Sequence, residues 1–278
     1  MNSNLPIGVF DSGVGGLTVA RAIIAELPAE SVFYFGDMAR CPYGDRTPTE
    51  VTDFAIQICD FLVSQGVKML VVACNTATAV ALPSLAIRYP IPVIGVIDPG
   101  ARAAVAVAPG RHVGVIGTAV TIASGAYEQA VRRLQPEAEV VSLACPPLVP
   151  LVESGLVSGP YAKSVVQSTL EPLLSADMDT LILGCTHYPL LQPIIQEVVG
   201  NDVTIISSAA ETAREVKRVL AHRGWFAEGP GPGTRRYYTT GDGIRMTGAV
   251  LDWVGETFTG PDVRSVHLPV LEVPNSSS

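Results

Sequence analysis

Two stretches of this chain share one pattern, an apolar run of aliphatic and β-branched residues that stops at a cysteine and then turns polar. The first is Leu70-Val71-Val72-Ala73-Cys74-Asn75-Thr76 and the second Leu181-Ile182-Leu183-Gly184-Cys185-Thr186-His187. A run that is apolar at every position, rather than at alternate ones, predicts a parallel strand buried on both faces and leading into a loop and helix. Upstream, the pattern predicts a strand over 7–10, a glycine-rich turn over 11–16 and a helix over 17–27 closed by Pro28. A strand over 32–35, a loop over 36–48, a helical period over 49–65 and the first cysteine-bearing strand over 67–73 complete a βαβ series.

A second series starts at the apolar run 91–96, with a helix over 101–108, a strand over 113–116 and a turn over 117–121. It echoes the first. Gly8-Val9-Phe10-Asp11-Ser12 aligns with Gly114-Val115-Ile116-Gly117-Thr118 at an offset of 114 − 8 = 106, and the two cysteines align at 185 − 74 = 111. The pattern therefore predicts an α/β protein of two related halves, each offering one thiol to a shared cleft. Beyond the second cysteine it predicts a strand over 203–206, a helix over 209–222, a Gly/Pro loop over 229–233, a strand over 237–239 and a helix over 247–258. This remainder is too short for a third domain and is expected to return to the first half. The expected division is 1–97 plus 208–278 for one domain and 98–207 for the other, with a frayed polar end at 274–278.

Composition narrows the function. With 278 residues, 18 Lys plus Arg against 26 Asp plus Glu and a net charge of −8, the chain has no basic run to meet nucleic acid, so small molecules are the expected partners. Residues 69–87 carry no charge, but Asn75, Thr76, Thr78, Pro83 and Ser84 interrupt them, which fits a strand and buried helix rather than a membrane span. Five cysteines, an odd count without a Cys-x-x-Cys, and an N-terminus with no signal-peptide pattern make the reducing cytoplasm the expected compartment.

The candidate chemistry follows from position. A thiol at the C-terminal end of a parallel strand lies where ligands bind in open α/β sheets and beside a helix N-terminus, which favours the thiolate. Cys74 and Cys185 are thus both candidate bases. His187 adjoins Cys185 and is the candidate proton partner or substrate contact, while Glu153 either pairs with it or, as expected here, is a solvated helix residue. The turn 11–16 resembles a dinucleotide fingerprint, yet its third glycine position holds Thr18, so it reads as a tight turn presenting N–H groups to an anion, with Ser12 adding a hydroxyl. Asp11 is either a cap or a group that holds an ammonium or orients a base. The loop Arg40-Cys41-Pro42-Tyr43-Gly44 either closes over a ligand or is a plain turn with Tyr43 packed beneath it. Cys41, Cys59 and Cys145 lack metal-ligand spacing and read as structural.

Taken together, FDSGVGGLT at 10–18, CPYG at 41–44, ACNTAT at 73–78, GCTHYPLL at 184–191 and TGD at 240–242 resemble the glutamate racemases of the aspartate/glutamate racemase superfamily. Aspartate racemases resemble the chain less, since they carry glutamate where this chain has His187. The resemblance implies two flavodoxin-like domains with the site between them, a homodimer, and no cofactor or metal. It assigns Cys74 and Cys185 as paired acid/bases. Asp11, Ser12, Tyr43, Gly44, Asn75, Thr76, Thr118, Thr186 and His187 then contact glutamate or tune the thiols. The implied output is D-glutamate for peptidoglycan. Two alternatives stand beside it: a racemase for aspartate or a related acid or hydantoin, and a non-catalytic dicarboxylate-binding α/β protein.

Overall fold

The computed structural model describes residues 2–108, 112–255 and 260–269. The expected fray at 274–278 and the end of the helix expected over 247–258 lie outside them. The chain begins with β1 (Ile7–Asp11), α1 (Leu17–Glu26), β2 (Val32–Gly36), α2 (Pro48–Ser64), β3 (Met69–Val72), α3 (Asn75–Arg88) and β4 (Val93–Gly95). It continues through α4 (Ile97–Val107), β5 (His112–Gly117), α5 (Ala119–Ala123), α6 (Ala126–Leu134), β6 (Glu139–Ala144), α7 (Leu148–Glu153), α8 (Gly159–Leu170), β7 (Thr180–Gly184), α9 (Gln192–Val199) and β8 (Thr204–Ser207). It then forms α10 (Ser208–Arg223), β9 (Arg235–Thr239), α11 (Gly243–Val254) and β10 (Val263–Ser265).

These strands form two parallel sheets, one of six strands in the order β10-β9-β2-β1-β3-β4 and one of four in the order β6-β5-β7-β8. The arrangement β2-β1-β3-β4 in one sheet has its counterpart in β6-β5-β7-β8, which is the structural content of the sequence echo. Every residue of β3 and β7 is buried, as continuous apolar runs require. In register, Phe10 lies opposite Val72 and Gly117 opposite Gly184, so each cysteine strand ends level with a neighbour that carries a second site loop. The strand order reverses between β1 and β3, and again between β5 and β7. Crevices at such switch points are where open α/β sheets bind ligands.

Local chemistry accounts for the helix starts. Thr47 and Glu50 form a reciprocal capping box, with Pro48 at the first position of α2. Asp242, the last residue of the TGD motif, caps α11 by accepting from the Ile244 N–H at 2.8 Å, so that helix begins earlier than its apolar period suggests. α4 likewise starts at Ile97, because Pro99 is tolerated in a first turn. The elements missing from the sequence reading are α5, which falls in the expected turn over 117–121, and α6, β6, α7, α8 and β10. β6 and β10 are half-exposed edge strands, and α7 is prefaced and interrupted by prolines, so none of these three has a clean apolar period. After residue 208, α10 packs on α1 and β9 joins β2, returning the chain to the first sheet. A buried ion pair helps hold this return: Lys68 Nζ meets Glu30 Oε2 at 2.6 Å and the Trp225 carbonyl at 2.8 Å. The charge-free stretch 69–87 divides into β3 and α3, and no helix among the described residues is long and apolar enough to cross a membrane.

Candidate active site

Cys74 is the N-cap of α3, and its Sγ accepts the Ala77 N–H at 3.4 Å. Cys185 follows β7 in the equivalent place. The two thiols line one cavity of about 20 Å³ between the halves. The first half contributes Ser12, Tyr43, Gly44, Asn75 and Thr76 alongside Cys74. The second contributes Thr118, Val149, Thr186 and His187 alongside Cys185. Of the residues that the family resemblance assigns to the site, Asp11 alone is absent from the cavity lining. Pro42 also lines the cavity, whereas Cys41, Cys59 and Cys145 do not.

Asp11 is fully buried and corrects the reading of the glycine-rich turn. Its Oδ2 accepts the N–H groups of Gly13 and Gly16 at 3.1 and 3.0 Å, so the turn binds its own carboxylate with donors expected to face an external anion. Thr186 reaches across from the second half to donate to Asp11 Oδ1 at 3.3 Å. Burial raises the Asp11 pKa, opposed by the positive charge of His187 and these hydrogen bonds.

The halves approach closely because glycines let them. A Cβ on Gly15 would stand 2.4 Å from Thr186 Oγ1 and 2.7 Å from His187 Nδ1, and one on Gly44 would stand 2.9 Å from Thr118 Cβ. A cluster of hydroxyls also joins the halves: Thr76 Oγ1 lies 3.0 Å from Thr118 Oγ1 and 3.3 Å from Thr121 Oγ1. Thr121 went unremarked in the sequence, although its place in the turn after β5 was a signal. Tyr43 is 1% exposed, packs on Phe54 and donates to Asp37 Oδ2, which is the plain-turn alternative for its ring. Asp37 also accepts from Arg40 Nε and Thr240 Oγ1, each at 2.7 Å, and so fastens the CPYG loop to the TGD segment.

The electrostatics differ between the two thiols. His187 Nδ1 lies 3.8 Å from Cys185 Sγ, and its Nε2 lies 2.9 Å from Glu153 Oε1. Arg245 donates to the other Glu153 oxygen. Glu153 is therefore not a merely solvated helix residue. The sequence left the Glu153 pairing undecided and gave no sign of Arg245, because His187 meets Glu153 and Glu153 meets Arg245 only through folding, across separations of 34 and 92 positions. Burial alone would depress the His187 pKa, but its contacts with Cys185, Glu153 and Asp11 prevail and push it up to about 10. Accepting from His187 holds the Glu153 carboxyl below its ordinary range despite partial burial. At neutral pH the imidazole is thus a cation, donating from Nε2 to Glu153 and pointing Nδ1–H at the sulfur.

Among the described residues, no cation is bonded to Cys74. Burial, reinforced by Asp11, pushes its thiol up to about 12, and the Ala77 N–H only partly offsets this. The expectation that a helix N-terminus would favour the thiolate fails at this position, because one N–H cannot replace the lost hydration.

The donors lining the cavity suit a carboxylate. Asn75 Nδ2 is buried and finds no hydrogen-bond partner among the described residues, while Asn75 Oδ1 accepts from Tyr127 at 2.7 Å. A volume of about 20 Å³ holds a single water and not an amino acid, so ligand entry requires the walls to part. A roomier cavity of about 500 Å³ lies beyond Glu153 and Arg245, lined by Trp253 and Leu190, and contains neither Cys74 nor Cys185. The thiols make the smaller one the candidate site. Among the described residues, no group of three or more His, Cys, Asp or Glu side chains could hold a metal ion.

Comparison with known proteins agrees with this geometry. Residues 7–216 match the family model described as Asp/Glu/Hydantoin racemase. The chain is 54% identical to a glutamate racemase of Exiguobacterium sibiricum over 251 residues, 90% of this chain and 93% of that one. The crystal structure of glutamate racemase isoform RacE1 from Bacillus anthracis superposes with a TM-score of 0.93 at 48% identity, covering 97% of this chain and all of the other. A glutamate racemase from Francisella tularensis, crystallised in complex with D-glutamate, superposes at 0.88 with 33% identity, covering 95% and 98%. With matched thiols at paired strand ends, and with relatives alike over nearly their whole length, the chain belongs to the Asp/Glu/Hydantoin racemase family of enzymes.

Proposed function

We propose that this enzyme interconverts the L and D enantiomers of glutamate by two-base proton transfer, with Cys74 and Cys185 on opposite sides of the α-carbon. The observation that carries the reading is that thiols from corresponding strand ends of the two sheets line the same cavity. The names of the relatives and the D-glutamate bound by the Francisella enzyme support glutamate as the substrate.

An α-proton is weakly acidic, and inversion requires its removal from one face and delivery to the other. One cysteine, as thiolate, takes the α-proton, and the electron pair of the broken C–H bond delocalises into the α-carboxylate. The other, as thiol, delivers its proton to the opposite face and is left as thiolate. Cys74, whose pKa is raised, enters as the thiol. Cys185, beside the His187 cation, carries the charge. The same cation helps in reverse, since charge then builds on the Cys185 sulfur as it gives up its proton. Neutral donors from Ser12, Asn75, Thr76, Thr118 and Thr186 hold the carboxylates, and they follow charge as it builds in the transition state. We further place the domain boundaries at 97/98 and 207/208, where two chain crossings would let the halves part. The product, D-glutamate, supplies peptidoglycan synthesis.

The test is chiral chromatography of L- or D-glutamate incubated in D₂O with the pure protein and no added cofactor. Racemisation with α-deuterium incorporation is expected. Preference for aspartate, or dependence on added pyridoxal phosphate, would overturn the reading.

A further inference from the structure

Asn75 follows one thiol, and its side-chain amide faces two ways. A carboxamide presents an acceptor at one end and donors at the other, and only its hydrogen-bond partners decide which end points where. Here the deciding partner is Tyr127 on α6, a residue outside the cavity wall that belongs to the second half. Its hydroxyl lies 2.7 Å from Asn75 Oδ1, and both side chains are at least 97% buried. The phenol donates to Asn75 Oδ1 and keeps its proton at any working pH, since burial raises its pKa well above the ordinary value, and the Ser208 hydroxyl hydrogen-bonds the same phenol. Ser208 is the first residue of α10, and a Cβ on Gly100 would touch both Ser208 Cβ and the Tyr127 hydroxyl, at 3.4 and 3.5 Å. The Tyr127 ring is held as well, because a Cβ on Gly184 would meet its Cε2 at 3.0 Å. Tyr127 thus touches the strand end before Cys185 with its ring and the residue after Cys74 with its hydroxyl.

We propose that Tyr127 is a positioning residue for substrate binding: by donating to Asn75 Oδ1 it fixes the amide so that the buried, unpartnered Nδ2 presents its hydrogens to a substrate carboxylate. The reversed amide would point its oxygen at the carboxylate and repel it. This inference rests on the reading of the cavity as the glutamate site. It adds that one donor of that site is oriented from the far half of the molecule, across the junction that must open for entry.

The experiment is Tyr127→Phe, which keeps the ring against Gly184 and removes only the hydroxyl. KM for both enantiomers should rise about 3- to 10-fold, the worth of one buried hydrogen bond, while kcat stays within about twofold. In an Asn75→Ala background, Tyr127→Phe should raise KM no further, whereas a merely structural effect would add the same penalty in both backgrounds. An unchanged KM for Y127F, or equal penalties with and without the Asn75 amide, overturns the proposal. A second readout needs no Tyr127 variant: in the unmodified enzyme, the Asn75 side-chain amide protons should shift by NMR on adding D-glutamate, and no shift at saturation also overturns it. Y127F should keep α-deuterium exchange at saturating glutamate, so failure of this inference is distinguishable from failure of the two-thiol mechanism, which would show in the cysteine variants.

Discussion

Replacing Glu153 by glutamine tests whether the His187 cation serves Cys185. The substitution preserves an acceptor at 2.9 Å from Nε2 and deletes only the negative charge. His187 owes its pKa of about 10 to Cys185, Glu153 and Asp11 acting together against burial. Removing one close carboxylate, itself partly solvated, should bring it down by about two pH units, within the 1–3 typical of a single opposite charge. At pH 9 the protonated fraction would then fall from about 90% to about 10%, while at pH 7 it would remain about 90%. The expected outcome is a kcat/KM close to that of the unmodified enzyme at pH 7 and about tenfold lower at pH 9. Both directions must lose equally, since kcat/KM for the two enantiomers is tied by an equilibrium constant near one. The assay is circular dichroism of L- and D-glutamate racemisation between pH 6 and 10. Arg245→Gln is the control: it removes the cation from the far side of Glu153 and should leave the alkaline limb in place or move it higher. An alkaline limb at the same pH in E153Q and the unmodified enzyme would refute the argument that His187 must be protonated.

Cys74→Ser and Cys185→Ser should each lower racemisation at least about 10³-fold, because a hydroxyl does not ionise usefully near neutral pH, while Cys59→Ser, buried but outside the cavity lining, should keep activity; retained activity in either of the first two sinks the two-base mechanism. Gly15→Ala should cost most of the activity with a small change in Tm, because the new methyl wedges against Thr186 and His187 at the junction; wild-type kcat/KM would show that the halves do not work in this closed contact. Stability should decline as pH rises from about 7 to 10. His187 has a folded pKa raised to about 10, so its contribution is complete below its unfolded value and is lost as pH rises through 10. Cys74, raised to about 12, adds to the decline above pH 9, where the unfolded thiol ionises and the folded one does not. Urea midpoints across this range measure the effect, and His187→Asn should flatten the part below pH 9; an equally steep decline in that variant would rule His187 out as its source.

The sequence by itself determined the repeated βα corners and the two thiols that end them. Runs such as Leu70–Ala73 and Leu181–Gly184 are apolar at every position, and only a strand covered on both faces accommodates that. Because ligands collect at the C-terminal ends of such strands, Ser12 was legible as a candidate from its place just past a strand, while the candidacy of Asn75, Thr118 and Thr186 came from the family resemblance. Edge strand β6 was not legible, since one half-exposed face carries no clean period. Nor was the asymmetry of the site. Both cysteines follow buried strands and precede polar residues, yet folding sets the His187–Glu153–Arg245 chain beside Cys185 and brings the Asp11 carboxylate to bear on Cys74. The turn after β1 looked like an anion cradle, and only the three-dimensional structure shows two of its donors taken by Asp11. That turn closes over two to five residues, and its local sequence is equally compatible with an external anion. Periodicity and strand-end position are written in neighbouring residues, whereas the asymmetry of the thiols depends on groups brought together across 34 and 92 positions.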